Sequence, residues 1–296
     1  AKECFVNCMS LQEIELPEGL EEIGKSAFEG CSSLKRIVIP EGVRSIREKT
    51  FCECTALQEI RLPDGLELIG RSAFSECEAL QEIRLPDGLK EIGSDAFSGC
   101  RSLRQITVPV GVKCIETAVF RSCRALQEVH LPEGLEQIGM FAFEDCDTLT
   151  RIVLPASLKR LCRGAFENCT SLLEAQLPDG LEELQDDAFE YCRSLQKVTI
   201  PAQVRQIERA AFYYCQSLQE VQLPEELNEI GEDAFAHCWA LKRIVIPAGV
   251  EKVGEHAFWE CYSLQNIAVL SDDTEIAEDA FEDCPGTVKR GTGSLF

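Results

Sequence analysis

The sequence predicts a repeat solenoid, between α/β and mainly β in class, with a parallel β-sheet on one face and short turns or 3₁₀ helices on the other. Thirteen of the 17 cysteines recur at one interval of 23 residues, from Cys8 to Cys284. A phenylalanine stands three residues before each of them, and eleven of the 12 prolines keep the same period. Self-similarity at a fixed period is typical of repeat architectures, whose units bury their apolar faces only by stacking.

The first complete repeat, residues 11–33, begins with a predicted strand. Its pattern is Leu-x-x-Ile-x-Leu-Pro-x-Gly-Leu-x-x-Ile-Gly-x-x-Ala-Phe-x-x-Cys-x-x. Residues 11–16 place apolar side chains as a short half-buried strand does. Pro17 ends this strand because proline cannot donate to a β-ladder. Gly19 then permits a turn that requires positive φ.

The second half of the repeat returns the chain to the stack. Leu20 and Ile23 form another apolar pair, which we interpret as a short extended or turn segment. Ala27, Phe28 and Cys31 are spaced one and three residues apart, and this spacing predicts a single helical or 3₁₀ turn.

The period also predicts the domain organisation, which is one domain without a division. Residues 1–10 are a partial N-terminal repeat, and residues 11–263 are eleven repeats. Residues 264–286 form an atypical C-terminal capping repeat, in which Leu270–Thr274 replaces Pro-x-Gly-Leu. Residues 287–296 are a tail. Because the chain begins inside a repeat, we expect a fragment or an open end that packs on another subunit.

This consensus resembles the leucine-rich repeats of the Treponema pallidum type, found in BspA-like proteins, over Cys4–Gly286. It departs from the commoner leucine-rich repeat, in which Asn or Cys directly follows the strand. The resemblance implies a right-handed leucine-rich-repeat solenoid. It also implies a secreted or cell-surface location and a role in adhesion or host-protein binding.

Net charge and hydropathy exclude two classes of partner. The formal net charge is −22, whereas a nucleic-acid partner requires clustered Lys and Arg. No run approaches the 18 apolar residues or so that a transmembrane helix needs. Neither exclusion by itself says what the protein does.

The cysteine column predicts buried, protonated thiols beside the phenylalanines, without redox chemistry. Four cysteines lie off the column. Cys4 takes the usual alanine position and is predicted to be core. Cys52 forms Cys-Glu-Cys with Cys54, but a metal shared with a buried column member is not expected. Cys114 and Cys162 lack zinc-ligand spacing and are predicted to be surface thiols.

No catalytic, cofactor or metal motif is present, so we predict that the chain is not an enzyme. The three histidines occupy three different repeat positions, and Gly-x-Ser-x-Gly, His-Glu-x-x-His and a phosphate-binding glycine loop are absent from the sequence. One acidic column leaves two interpretations open, a divalent-cation site or solvated turn carboxylates. Its members are Glu18, Glu41, Asp64 and Asp87.

The residues flanking the central isoleucine of each strand should point outward. The residues directly before this isoleucine alternate between positive and negative charge over half the repeats. This alternation indicates a ladder of ion pairs between adjacent strands, a partner-binding surface or both. The residues after the isoleucine form a varied strip suited to selective contact, in which Arg61, Arg84 and His130 are the candidate contact residues.

An aromatic patch distinguishes a few repeats from the rest. All four tyrosines and both tryptophans lie between residues 191 and 262. With one histidine they share a few positions that elsewhere hold mostly polar residues, so we expect them to be exposed on the turn side. The patch consists of Tyr191, Tyr213, Tyr214, His237, Trp239, Trp259 and Tyr262.

Tyr and Trp are enriched at interface hot spots. The patch therefore predicts contact with a protein or glycan partner or with a second copy. The alternative is local packing between enlarged neighbouring turns. The leading interpretation of the whole chain is a non-catalytic scaffold for protein–protein interaction or adhesion, with self-association through the N-terminal end or the patch as one form. The alternative is a structural spacer or stalk of a larger surface protein.

Overall fold

The structure, a computed structural model, describes residues 4–291. The chain falls into two compact units, Ala1–Leu149 and Thr150–Phe296. In each unit short parallel strands from successive repeats pair with one another, so each is a β-solenoid, as predicted. No helix occurs in residues 4–291, and hence none that is long and apolar enough to cross a lipid bilayer.

The first unit contains two kinds of strand, of three residues and of two. They are β1 Arg36–Val38, β2 Ser45–Ile46, β3 Glu59–Arg61, β4 Leu68–Ile69, β5 Glu91–Ile92, β6 Gln105–Thr107, β7 Cys114–Ile115, β8 Glu128–His130 and β9 Gln137–Ile138. Parallel pairs join β1 to β3, β2 to β4 to β5, β6 to β8, and β7 to β9.

The second unit alternates longer and two-residue strands, and three of its longer strands have four residues. Its strands are β10 Arg151–Val153, β11 Arg160–Leu161, β12 Glu174–Gln176, β13 Glu183–Leu184, β14 Lys197–Thr199, β15 Gln206–Ile207, β16 Glu220–Gln222, β17 Glu229–Ile230, β18 Arg243–Ile246, β19 Lys252–Val253, β20 Asn266–Val269, β21 Glu275–Ile276 and β22 Thr287–Arg290. The sheet orders are β10-β12-β14-β16, β15-β17-β19-β21 and β18-β20-β22, and β11 pairs with β13.

Partner residues follow the 23-residue period, as Arg36 opposite Glu59 does. In the last pair, Asn266 lies opposite Thr287, so the final repeat is two residues shorter. Residues 287–290, assigned to the tail from the sequence, thus form strand β22. The strand predicted over residues 11–16 contributes only an isolated bridge at Glu13.

The segment around each phenylalanine is a run of turns and not the predicted helical or 3₁₀ turn. In the repeat of Phe28, alternate amides bond within the turn, as Cys31 N–H does to the Phe28 carbonyl at 3.1 Å. The intervening amides point along the stack, and Phe28 N–H donates to the Thr50 carbonyl of the next repeat at 2.9 Å. An α-helix would direct its amides to its own earlier carbonyls, so the bonds between repeats exclude it.

The core of each unit is a stack of phenylalanine rings. Within a unit, neighbouring centroids are 5.0 to 5.7 Å apart and the rings are nearly parallel. The repeated leucines and column cysteines fill the space around the rings and are almost wholly buried. This burial of apolar area is the main source of stability in such a fold.

The cysteine column is buried as predicted from Cys31 to Cys261, but Cys8 is exposed and Cys284 is half-buried. No disulfide joins the cysteines of the described chain. Burial raises the pKa of most of the buried column thiols, as at Cys54, because the thiolate would be poorly solvated. Two predictions for single cysteines are wrong. Cys4 is exposed, because no earlier repeat covers its side in the described chain, and Cys162 is buried in place of the usual glycine.

Candidate binding surface

The aromatic patch lies in the turns that follow the phenylalanines of the second unit. Tyr191, Tyr214 and His237 stand immediately before column cysteines, with φ of 56°, 58° and 59°. Every described residue at this repeat position has positive φ, and several are Gly, Asn or Asp, as at Gly30. Bulky side chains rarely adopt this left-handed conformation, which costs about 1 kcal/mol or more each.

The structure brings all seven predicted side chains into one contiguous cluster. Tyr214 is central: its ring centroid lies 5.2 Å from Tyr191, 5.0 Å from Tyr213, 4.1 Å from His237 and 5.9 Å from Trp239. Two further contacts complete the cluster. They are His237 to Trp259 at 4.7 Å and Trp239 to Tyr262 at 6.3 Å.

The expectation that the whole patch is exposed is correct for two members, wrong for His237 and only partly met by the other four. His237 is only 4% exposed, because the rings of neighbouring repeats close over it. Trp239 and Tyr262 are the exposed members, at 38% and 54%. The remaining four rings are half-buried. The patch therefore has a packed interior and an exposed end.

Carboxylates border the exposed end. His237 Nδ1 and Glu260 Oε2 are 3.0 Å apart, within ion-pair range but not aligned for a hydrogen bond. A hydrogen bond to Glu260 raises the pKa of Tyr262 to about 12, because the ionised phenol would lose that bond. Asp283 follows Glu260 at the same repeat position and also raises the pKa of Tyr262.

A buried carboxylate, Asp187, pairs with two exposed arginines at the other end. Arg163 Nε donates to one carboxylate oxygen of Asp187 at 2.9 Å, and Arg209 Nη2 donates to the other at 2.9 Å. Nearby, burial and the charges of Asp187 and Glu167 raise the pKa of Glu190 to about 7. Glu190 immediately precedes the first ring of the patch.

Sequence reasoning missed two members of this surface. Glu260 occupies the same repeat position as Tyr214 and His237. Because it is a carboxylate and not a ring, the aromatic pattern that predicts the patch does not include it. Arg193 Cζ lies 5.7 Å from the Tyr191 ring centroid in a cation–π contact. The 23-residue spacing already placed Arg193 in the column of Trp239, so this signal was present in the sequence.

The strand-face candidates lie in the first unit, outside the cluster. Arg61 and His130 are exposed residues of β3 and β8. The Arg61 side chain lies 3.1 Å from Glu59, and that of His130 lies 3.9 Å from Glu128. Arg84 is exposed where the sheet is interrupted, since residues 82–84 belong to no strand. A polar groove of about 530 Å³ runs along the same repeats. Its lining residues are Gln58, Gln81, Glu82, Arg104, Gln105, Gln127 and Glu128.

The charge column before the central isoleucine forms the predicted ladder in part. In the second unit, Arg151 pairs with Glu174 at 2.9 Å and Lys197 with Glu220 at 3.4 Å. All four side chains are exposed, so each pair contributes less than about 1 kcal/mol. The acidic column that begins at Glu18 lies in exposed turns. Within residues 4–291 no group of three or more metal-ligating side chains occurs.

The comparisons with known proteins concern the whole fold. The sequence model of a protein family, described as the BspA type leucine rich repeat region, matches residues 1–123, 90–215 and 182–289 of this chain. A leucine-rich repeat protein from Bacteroides ovatus is 32% identical, with a TM-score of 0.78 over 98% of this chain and 81% of its own. A leucine rich cell surface protein from Faecalibacterium prausnitzii is 26% identical, with a TM-score of 0.56 over 92% of this chain and 84% of its own.

The pneumococcal vaccine antigen PcpA shares the fold at 20% identity, with a TM-score of 0.57 over 88% of this chain and 70% of its own. No curated protein matches this sequence. The family match covers nearly all of the chain. The matched residues include the repeats that form the phenylalanine stack and the cysteine column. The chain belongs to the BspA-type leucine-rich repeat family.

Proposed function

We propose that this chain is a non-catalytic, secreted or cell-surface scaffold that binds a protein partner through the aromatic patch and the strand face. The observation that carries the proposal is the presence of Tyr191, Tyr214 and His237 at left-handed positions that Gly, Asn or Asp would occupy with less strain. Strained backbone conformations of this kind cluster at functional sites.

Exposure supports the same conclusion. Trp239 and Tyr262 expose large rings at one end of a packed cluster, and rings held in this way lose little conformational entropy on binding. The surface location is supported by the name of the Faecalibacterium relative, a cell surface protein, and by the antigen PcpA, which shares the fold.

The first experiment compares capture of extracellular proteins by the wild type and by Trp239→Ala/Tyr262→Ala. Both side chains are exposed, so the double variant should fold. Met140→Ala, an exposed apolar side chain outside both surfaces, is the matched control. We expect the double variant to bind the captured protein at least about 10-fold more weakly, with the control unchanged.

The strand face is tested with Arg61→Ala/His130→Ala in the same assay. Weaker binding by this variant supports a contribution from the strand face. If both double variants bind the captured protein as the wild type does, the proposed binding surfaces are wrong. If the wild type captures nothing, the spacer alternative is favoured.

A further inference from the structure

The exposed end of the patch combines two accessible ring faces with carboxylates. The Trp239 and Tyr262 centroids are 6.3 Å apart, and the ring planes are tilted by 32°. Attraction between a cation and a ring extends to about 6 Å from the centroid, so one cationic group above the two rings can contact both. We call these two residues, with Glu260, the Trp239–Tyr262 surface.

The charge at this surface is not neutralised by lysine or arginine. Within residues 4–291, the one ion-pair partner of Glu260 is the buried His237, and no basic side chain pairs with Asp283. Glu260 Oε2 lies 3.0 Å from His237 Nδ1, and the His237 ring contacts those of Tyr214 and Trp259, so the carboxylate lies beside the rings of the patch. A negative group fixed at a ring edge favours a positive ligand over the ring face.

The chain contains a cation–π contact in the same cluster, at the Tyr191 end. Arg193 lies over Tyr191 at 5.7 Å, and in the same repeat column Trp239 and Tyr262 stand two and three repeats later. At the Tyr191 end the cation comes from this chain, whereas at the Trp239 end the position of the arginine is taken by a ring. The exposed end thus has the acceptor groups of a cation–π site without a cation.

We propose that the Trp239–Tyr262 surface binds an arginine or lysine side chain on an exposed segment of the partner protein. This inference rests on the proposed function and specifies the chemistry of its partner. The guanidinium or ammonium group lies between the two rings and forms an ion pair with Glu260. Partner binding should therefore weaken as the ionic strength rises.

The chain supplies its own reporter for a test, since its only two tryptophans, Trp239 and Trp259, both belong to the patch. Blocked tetra-arginine and tetra-citrulline peptides, which differ in charge but hardly in shape, are titrated near 0.15 M salt while tryptophan emission is recorded. We expect a saturable response to tetra-arginine and at least about 10-fold weaker binding of tetra-citrulline.

Glu260→Gln should weaken tetra-arginine binding at least about 5-fold. Glu53→Gln is the matched control, because Glu53 has the same repeat position and a positive φ in the first unit; it should leave binding unchanged. Tyr262→Ala, which removes an exposed ring and keeps both tryptophans, should also weaken it. Melting curves verify that each variant folds.

Equal affinities for the two peptides, or equal effects of Glu260→Gln and Glu53→Gln, would overturn the cation site. So would a saturable response to a chitin tetrasaccharide without one to tetra-arginine, which would indicate a glycan surface. If partner binding is lost in Trp239→Ala but kept in Glu260→Gln, this inference fails and the proposed function stands. If neither variant changes partner binding, the proposed function fails as well.

Discussion

The Cys54 thiol lies 3.2 Å from the carbonyl oxygen of Phe28, to which it donates a hydrogen bond across one repeat boundary. The same carbonyl also accepts the Cys31 N–H at 3.1 Å. Within each unit this relationship recurs at successive column cysteines, as at Cys123 and Phe97. The cysteines thus fill the space beside the rings, and in most repeats they also satisfy a second lone pair of a phenylalanine carbonyl.

Replacing one column thiol should therefore be costly. Cys123→Ala removes a donor to the Phe97 carbonyl and leaves a small void in a wholly buried site. We expect a loss of about 1–2 kcal/mol in the free energy of unfolding, measured by chemical denaturation. Cys8→Ala at the exposed end of the column is the control. An equal loss for both variants would argue against a packing role.

Thiol reactivity should separate the cysteines by exposure. In the folded protein, iodoacetamide at pH 8 should label Cys4 and Cys8 rapidly, because both are exposed. It should spare Cys123 and Cys52, since burial raises the pKa of both and brings that of Cys52 to about 11. Mass spectrometry of proteolytic peptides measures the extent of labelling. Equal rates at Cys8 and Cys123 would contradict the buried column.

Glu190 should make stability depend on pH. Its folded-state pKa is about 7, above the usual value of 4.5, so the folded state binds the proton more tightly than the unfolded state. The stabilisation of the folded state by protonated Glu190 is therefore fully present below pH 4.5 and is lost as the pH rises to about 7. Glu190→Gln cannot ionise and should be more stable than the wild type at pH 8, by about 1–2 kcal/mol after allowance for solvent screening, and not at pH 4.

Denaturant titrations at the two pH values check this prediction. Glu29→Gln is the control, because Glu29 has the same repeat position in the first unit and is 3.6 Å from Lys49. It should not gain stability at pH 8. A Glu190→Gln variant no more stable than the wild type at pH 8 would show that Glu190 ionises there without cost.

Most of the fold was predictable because apolar residues that recur at the same repeat position are the ones that stacking buries. The spacing of Phe28 and Cys31 correctly indicated a shared apolar column. The helical turn was predicted wrongly because the same spacing also fits a turn whose alternate amides bond the next repeat. The Gly, Asn and Asp residues found before several cysteines, such as Gly30 and Asn168, are the signal for positive φ that identifies such a turn.

The aromatic members of the candidate surface were predictable from the sequence, but the burial of each side chain was not. The period placed Tyr191, Tyr214 and His237 in one column. It did not indicate that neighbouring rings bury His237, because burial depends on the side chains of adjacent turns. Cys162 was predicted wrongly for a similar reason: a glycine position beside the backbone of the neighbouring repeat accommodates a thiol only by burying it.

The central claim is that the rings of the patch are kept for binding and not for folding. Tyr191 tests it, because its φ of 56° favours glycine, which Gly30 supplies at the same position. Tyr191→Gly relieves strain worth about 1 kcal/mol and loses two ring contacts worth about 0.5–1.5 kcal/mol each. Glu53→Gly, also at positive φ but outside the patch, measures the relief alone.

The deciding measurement is the free energy of unfolding of Tyr191→Gly, obtained by chemical denaturation beside the wild type and Glu53→Gly. We predict a loss of at most about 2 kcal/mol relative to the wild type, because the relief of strain offsets part of the lost ring contacts. A loss of more than about 3 kcal/mol would show that the rings are kept for packing between neighbouring turns, and would contradict the binding role.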